Sequence, residues 1–186
     1  MASPNTARKE VTSSNDLYNT PIEALEAAWA AGIFDQFRHY HDPCNGLGEI
    51  ANFLNTHGKK CTAADIVDYQ NFALVEDFLL TNTAHLASCL VFNPPFLLTE
   101  EFIDHALTLC DHVIMFNRAT VLETKDRSRK HNEKEWPLKT FYSMANRVSC
   151  TKGVDREYTA NSVWYGWYVY DKNYKGNPEI KWLFTK

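Results

Sequence analysis

The chain has 186 residues, of which 45% are hydrophobic and 23% charged, and its formal net charge is −4 at pH 7. These fractions are typical of a globular protein with a buried core, and they exclude a largely disordered chain. No apolar run approaches the roughly 20 residues that a membrane-spanning helix needs, and the N-terminus lacks the apolar stretch of a secretory signal peptide. We therefore expect a cytoplasmic protein that does not bind membranes, with the nucleus as the alternative.

Residues 1–20 are rich in Ser, Thr, Asn and Pro, which predicts a flexible N-terminal arm. Residues 21–186 are expected to form a single globular domain. The five cysteines are odd in number and widely spaced, which indicates free thiols rather than a disulfide framework.

Helical periodicity dominates the chain up to about residue 118. Apolar residues recur at spacings of three and four in four stretches, which are 22–29, 49–57, 62–92 and 99–116. The sequence Asn93-Pro94-Pro95 ends the third stretch, and Thr99 with two following glutamates starts the fourth. These patterns predict an N-terminal bundle of four or five helices, which forms an acidic helical part over 21–118.

The last part of the chain, 136–186, is basic and aromatic. The stretch SVWYGWYVYD at 162–171 is dense in aromatic and β-branched residues, the turn-forming KNYKGNP follows, and EIKWLFTK completes the pattern. This order predicts a C-terminal antiparallel β-hairpin or small sheet, which should pack on the helices or pair with a strand from within 138–160. The expected fold class is therefore α+β.

The charge is divided along the chain. Residues 1–115 carry five basic against fifteen acidic residues, a net charge of −10, whereas residues 116–186 carry fourteen against eight, a net charge of +6. Basic charge interleaved with aromatic rings is typical of surfaces that bind nucleic acid, because cations neutralise phosphates and rings stack on bases. An acidic protein surface is the alternative partner.

Alternation along the predicted hairpin places Trp164, Tyr168 and Tyr170 on the face opposite the two valines, where they would form an outward stacking platform. A basic run at 125–134 and lysines at the border of the hairpin would supply the cations. The candidate ligand-binding residues are Lys125, Arg127, Arg129, Lys130, Trp164, Tyr168, Tyr170, Lys172, Lys175 and Lys181.

A second candidate site lies in HDPCNGLGEIANFLNTHGKKC, residues 41–61. His41, Cys44, His57 and Cys61 are separated by two, twelve and three residues, which is the ligand spacing of a small zinc finger. Such a zinc site, with an open position, would activate water for hydrolysis. The alternative is structural: His57 ends a helix before a glycine, and Asp42 and Pro43 form a turn.

No nucleotide-binding, zinc-protease or serine-hydrolase motif is present: GxGxxG, GxxxxGK[ST], HExxH and GxSxG are all absent. The leading interpretation is therefore a non-enzymatic binding or adaptor protein without a cofactor, which holds nucleic acid or an acidic partner on its basic aromatic surface. One alternative is a metal-dependent hydrolase that uses the His and Cys cluster at 39–61. The other is a protein–protein interaction or homo-oligomeric scaffold that buries the exposed rings.

Overall fold

The computed structural model describes residues 16–83, 87–158 and 163–185. Within these residues a central eight-stranded sheet is covered by helices, and a small three-stranded sheet lies beside it. The strands are β1 (Tyr18–Asn19), β2 (His39–Asp42), β3 (Lys60–Asp65), β4 (Leu74–Val75), β5 (Cys89–Phe92), β6 (His112–Arg118), β7 (Leu138–Met144), β8 (Thr151–Lys152), β9 (Glu157–Tyr158), β10 (Tyr165–Asp171) and β11 (Glu179–Leu183). The α-helices are α1 (Ile22–Ala30), α2 (Glu49–Thr56), α3 (Thr99–Leu109) and α4 (Lys125–Asn132).

The order of strands in the large sheet is β11-β7-β10-β6-β5-β2-β3-β4. From β4 to β6 neighbouring strands are parallel, whereas β10 runs antiparallel to both β6 and β7. The chain leaves β2 for β3 and β4 at one edge and then returns to β5 on the other side of β2. This reversal creates a topological switch point between β2 and β5, where ligands bind in open α/β sheets.

Two cores, one on each face of the large sheet, hold the helices against it. On one face α1 and α2 contribute Leu25 and Leu54, which are fully buried. On the other face α3 contributes Phe102 and Ile103. Successive residues of β5, β6 and β10 alternate between the two cores, so both sides of these strands are buried. A sheet covered on both faces produces strands with nearly continuous apolar sequences.

The predicted helical bundle is wrong, and this double burial is the reason. The helices predicted over 22–29 and 49–57 are confirmed. The stretch 62–92, however, contains the end of β3, then β4 and β5, apart from residues 84–86, which lie outside the described residues. The helix predicted over 99–116 ends at Leu109, and β6 follows it. Short apolar runs in buried strands cannot be distinguished from helix segments by periodicity alone.

The predicted C-terminal hairpin is also wrong. Both of its segments form strands, β10 and β11, but β7 lies between them, and β11 runs parallel to β7. The expectation that a strand from within 138–160 pairs with this region is confirmed by β7.

Residues 1–15 of the predicted arm lie outside the described residues, while 18–19 form β1 in the small sheet β1-β8-β9. None of the helices in the described ranges has the length and apolar character needed to cross a membrane.

Candidate active site

A cleft with about 810 Å³ of empty space opens at the carboxyl ends of β2, β3 and β5, beside the switch point. Its wall is built from three connecting segments: the loop after β2, the segment after β3 and the loop after β5. Residues of β1 and the preceding Asp16 complete the wall. The fold therefore brings together side chains that are far apart in the sequence.

The loop after β2, residues 42–48, approaches the cleft with two glycines. Gly46 and Gly48 have φ angles of +52° and +94°, a region that L-residues rarely adopt. A Cβ atom on Gly46 would lie 2.9 Å from Cδ1 of Leu17. The Asp42 carboxylate accepts a hydrogen bond from the backbone N–H of Cys44 at 3.2 Å, which holds the start of the loop. The backbone of this loop is thus tightly folded and close to the cleft.

Asp65 at the end of β3 fixes the loop from the other side. Its Oδ2 atom accepts a hydrogen bond from the Gly46 N–H at 2.8 Å, and its Oδ1 atom accepts one from the Val67 N–H at 3.0 Å. Each carboxylate oxygen can accept a second bond. Asp65 can therefore hold the loop and also accept a hydrogen bond from a ligand in the cleft.

The described residues that line the cleft include five acidic side chains and no lysine, arginine or histidine. Burial raises the pKa of Asp42 well above its usual range, and the negative charges of Asp65 and Glu49 raise it further. Burial also raises the pKa of Asp65, although three backbone N–H groups oppose this shift. The acidic side chains of the cleft are Asp16, Asp42, Glu49, Asp65 and Asp77. This concentration of negative charge favours a cationic ligand.

The loop after β5 places Asn93 in the wall of the cleft. Asn93 donates from Nδ2 to the backbone carbonyl of Tyr18 at 2.8 Å and to Oγ1 of Thr20 at 3.1 Å. A carbonyl oxygen can only accept, so this contact fixes the orientation of the amide. Within the part of the chain that the structure describes, Oδ1 of Asn93 is buried and has no hydrogen-bond partner. Pro94 and Pro95 follow, and their fixed φ angles restrict the backbone of the loop.

The predicted zinc ligands do not come together. Over residues 16–83, 87–158 and 163–185, no three His, Cys, Asp or Glu side chains are close enough to hold a metal ion. In the parallel pair β2–β3, Cys61 is the partner of Tyr40 and His41 is the partner of Thr62, so the side chains of His41 and Cys61 point to opposite faces. His57 instead contacts the Phe53 carbonyl and stacks on the Phe53 ring. Only Cys44 lines the cleft.

The predicted basic run lies on and beside α4, where three of its members pair with carboxylates of the protein itself. Arg127 contacts Glu100 at 2.8 Å. Arg129 contacts Glu133 and Glu135, and Lys130 contacts Asp104 at 2.9 Å. Lys125 is exposed. None of these four lines the cleft.

The predicted stacking platform needs a correction. Tyr168 and Tyr170 are fully buried, because helices and turns cover the face of β10 that was expected to be outward. Trp164 is half exposed, and its Nε1 donates to Ser143. The three border lysines lie elsewhere: Lys172 and Lys175 follow β10 at the end of the strands opposite the cleft, and Lys181 on β11 pairs with Glu179.

Sequence reasoning missed Asp65, Asn93 and the loop glycines as a functional group. The loop has only the first two glycines of the GxGxxG motif, Gly46 and Gly48, and Ala51 takes the place of the third. The available signal was a Gly-x-Gly turn before a helix, with an acidic residue almost twenty positions later. Asn93-Pro94-Pro95 was interpreted only as a helix stop, although it follows a buried strand.

The fold is similar to solved structures of methyltransferases. A candidate RNA methyltransferase from Pyrococcus horikoshii has a TM-score of 0.64 at 13% identity, covering 92% of this chain and 98% of that one. A candidate class I S-adenosylmethionine-dependent methyltransferase from Listeria monocytogenes has a TM-score of 0.62 at 12% identity, covering 90% and 65%. Magnesium protoporphyrin IX methyltransferase from Synechocystis, solved with bound S-adenosylmethionine, has a TM-score of 0.51 at 12% identity, covering 81% and 77%. No protein-family model matches the sequence, and no curated protein matches it significantly.

The chain thus has the Rossmann-like fold of S-adenosylmethionine-dependent methyltransferases, with an eight-stranded mixed sheet. The solved structures that share this fold are methyltransferases. The expectation of a non-enzymatic binding or adaptor protein, with its hydrolase and scaffold alternatives, is corrected accordingly. That expectation was inferred from the composition of the expected surface, whereas the fold is defined by the order and direction of the buried strands in the sheet.

Proposed function

We propose that this chain is an S-adenosylmethionine-dependent methyltransferase that methylates an amino nitrogen. The observation that carries the proposal is the acid-only lining of the cleft at the switch point. S-adenosylmethionine carries a sulfonium and an ammonium group against one carboxylate, so it is a net cation. Dinucleotides and nucleoside triphosphates bring phosphates, which an acidic lining without lysine, arginine or histidine among its described residues would repel.

The residues present fit this cofactor. Asp65 follows the second parallel strand, where an acidic residue of a doubly wound sheet accepts hydrogen bonds from ribose hydroxyls. Ile66 and Tyr69 supply apolar surface for the adenine on the same side of the cleft. Asp42 is placed at the start of the glycine loop, where its carboxylate would pair with the ammonium group. The positive φ angles of Gly46 and Gly48 let the backbone approach the ligand closely.

When bound, the cofactor supplies an electrophilic methyl group on a sulfonium sulfur. Oδ1 of Asn93 accepts a hydrogen bond from a substrate N–H and thereby orients the lone pair of that nitrogen. An amide oxygen cannot remove a proton, so it suits a neutral amine, which attacks first and loses its proton to water afterwards. A hydroxyl nucleophile would need a general base beforehand. The buried position of Oδ1 also keeps competing water away from this contact.

Ligand binding tests the proposal directly. We expect S-adenosylmethionine and S-adenosylhomocysteine to raise the melting temperature of the full chain and to give a titratable heat signal, whereas NAD should do neither. Binding of NAD in preference to S-adenosylmethionine would refute the assignment.

Asp65→Asn is the matched variant for this test. It removes the charge and one acceptor, so the Kd for S-adenosylmethionine should rise roughly tenfold or more, as expected for a lost hydrogen bond to a charged group. Asp111→Asn is the control, because Asp111 is exposed and pairs with Lys172 at the end of the strands opposite the cleft. An equal effect of both substitutions would show that general charge, and not Asp65, determines affinity.

A further inference from the structure

A second cleft, with about 910 Å³ of empty space, adjoins the candidate active site. The two clefts share Asn19, Thr20 and Glu49 in their walls. Thr20 is also the residue whose Oγ1 accepts a hydrogen bond from Asn93. A molecule that fills the second cleft therefore contacts Thr20, the hydrogen-bond partner of the amide that the proposed function assigns to the reacting nitrogen.

One wall of the second cleft is formed by the segment 145–158, which we call the arm. The arm leaves the end of β7 and contains the β8–β9 hairpin. Its base is anchored in the protein, because Val148 and Cys150 are buried in the core shared with α1 and α2. Asn19 ties the hairpin to β1 by donating to Oγ1 of Thr151 and to the carbonyl of Gly153 at 3.1 and 3.0 Å. The arm is thus a fixed wall.

The arm carries cations and exposed apolar groups that the cofactor cleft lacks. Arg147 and Arg156 line the second cleft. The Tyr158 ring lines the same cleft and is 71% exposed, and Val154 at the hairpin turn is 59% exposed. A solvent-exposed aromatic ring beside cations is the arrangement that holds nucleic acid strands, by stacking on bases and neutralising phosphates.

The opposite wall is acidic and faces the cofactor. It carries Glu23 and Glu49, and Glu49 pairs with Arg156 at 2.6 Å. This pair joins the arm to the first turn of α2, directly after the glycine loop. The two clefts therefore have a charge gradient, from the acid-only lining around the cofactor to the cationic wall of the arm.

We propose that the second cleft and the arm bind a single strand of a polynucleotide and direct an unpaired base that bears an exocyclic amine toward Asn93. This inference rests on the proposed function, and it names the substrate class of the same site. Arg147 and Arg156 contact phosphates, and Tyr158 stacks on a base. The strand is unpaired at the reacting base, because Oδ1 of Asn93 is buried and a base within a duplex cannot reach it.

The experiment is a fluorescence anisotropy titration of the full chain with labelled single-stranded DNA and RNA of about 20 nucleotides, over a series of salt concentrations. The double variant Arg147→Ala with Arg156→Ala should bind roughly tenfold more weakly at about 0.15 M salt, and its salt slope should fall by about 1.4, since each phosphate contact to a single strand contributes about 0.7. Tyr158→Ala should weaken binding at least about fivefold, as stacking does, with an unchanged slope.

Lys172→Ala with Lys175→Ala is the matched control, because it removes the same charge at the end of the strands opposite the clefts. It should leave the oligonucleotide Kd within about twofold of the parent value, a change that corresponds to less than one phosphate contact. Equal loss in both double variants would overturn the inference, as would tight binding of labelled polyglutamate, which would assign the site to an acidic polypeptide.

The same samples are titrated with S-adenosylmethionine. If the parent chain binds S-adenosylmethionine but the arm variants bind oligonucleotide as tightly as the parent does, this inference alone is overturned. Failure of the parent chain to bind S-adenosylmethionine would overturn the proposed function instead. Arg156→Lys keeps the charge beside Glu49, so retained oligonucleotide binding in that variant distinguishes loss of a phosphate contact from damage to the fold.

Discussion

Asn93 has the most specific chemical role that we propose for a residue of the cleft. Its Nδ2 atom is held by Tyr18 and Thr20, and its buried Oδ1 atom is left for a substrate N–H. A donor or acceptor aimed at the reacting group typically contributes two to three orders of magnitude to a rate, or about 2.7–4 kcal/mol. Substitution of Asn93 should therefore lower the catalytic rate more than the affinity for the cofactor, and the two quantities can be measured separately.

Asn93→Ala should lower kcat for transfer of a labelled methyl group to oligonucleotide roughly a hundredfold or more, because the nucleophile loses its orienting acceptor. The Kd for S-adenosylmethionine, measured by calorimetry, should change far less. Asn173→Ala is the control, since Asn173 is exposed in the turn after β10, at the end of the strands opposite the cleft. A parallel loss of kcat and of cofactor affinity would indicate that Asn93 merely supports the loop.

Single residues of the site were present in the sequence but could not be interpreted from it. Asp65 lies in the stretch 62–92 for which the sequence predicts helix, and its role depends on lying at the end of a strand beside β2. Asn93 was identified as a residue that ends a helix. His41 and Cys61 had a spacing that suits a metal, but they point to opposite faces of the sheet. Spacing along the chain does not determine which side chains meet when the chain reverses at a switch point.

Among the structural elements, the glycine loop of residues 42–48 links the fold to the cofactor. Gly46 has a positive φ angle and no room for a Cβ atom without movement of Leu17. Gly58, after α2, also has a positive φ angle, +77°, but nothing lies within 4 Å of its Cβ position. The two glycines thus carry the same backbone strain on substitution, in different surroundings.

Gly46→Ala and Gly58→Ala should each lower the free energy of unfolding by about 1–2 kcal/mol, the cost of a left-handed backbone conformation for an L-residue. Only Gly46→Ala should also weaken S-adenosylmethionine binding, because it displaces the loop that carries Asp42. Urea unfolding and calorimetry give the two quantities separately. Equal cofactor affinity in both variants would show that the loop does not contact the ligand.

The helices and strands differed in how well the sequence predicted them. α1 and α2 each bury one face and expose the other, so their apolar residues follow a helical spacing. β5 is buried on both faces, and all four of its residues are apolar or cysteine, which leaves no alternation to detect. β10 shows alternation, but both of its faces lie in a core, so the inference of an exposed aromatic face failed.

In the molecule as a whole, the cluster of acidic groups in the cleft couples folding to pH. The folded-state pKa values of Asp42 and Asp65 are raised, chiefly by burial. A group with a raised pKa in the folded state stabilises the protein below its unfolded pKa, and this contribution is lost as the pH rises through the folded pKa. The free protein therefore carries an electrostatic cost at neutral pH, which a bound cation would relieve.

We expect the contribution of this cluster to stability to fall from about pH 4, the ordinary carboxyl range, upward. Affinity for S-adenosylmethionine should change in the opposite direction and increase with pH, because the cation needs ionised carboxylates. Urea unfolding and calorimetric titration across this range measure both trends. Asp42→Asn should flatten both curves; an unaltered pH profile in that variant would contradict the assignment.

The position of β10 in the sheet determines the order in which parts of the growing chain can fold. This strand lies between β6 and β7 and pairs with both, although it follows both in the sequence. Until residues 165–171 leave the ribosome, the facing edges of β6 and β7 have no partner, and β7 cannot join the sheet. The parallel half, with the glycine loop and Asp65, can assemble first. We therefore expect a nascent chain to gain its cofactor cleft before the arm is fixed, so that substrate binding is the last property acquired during synthesis.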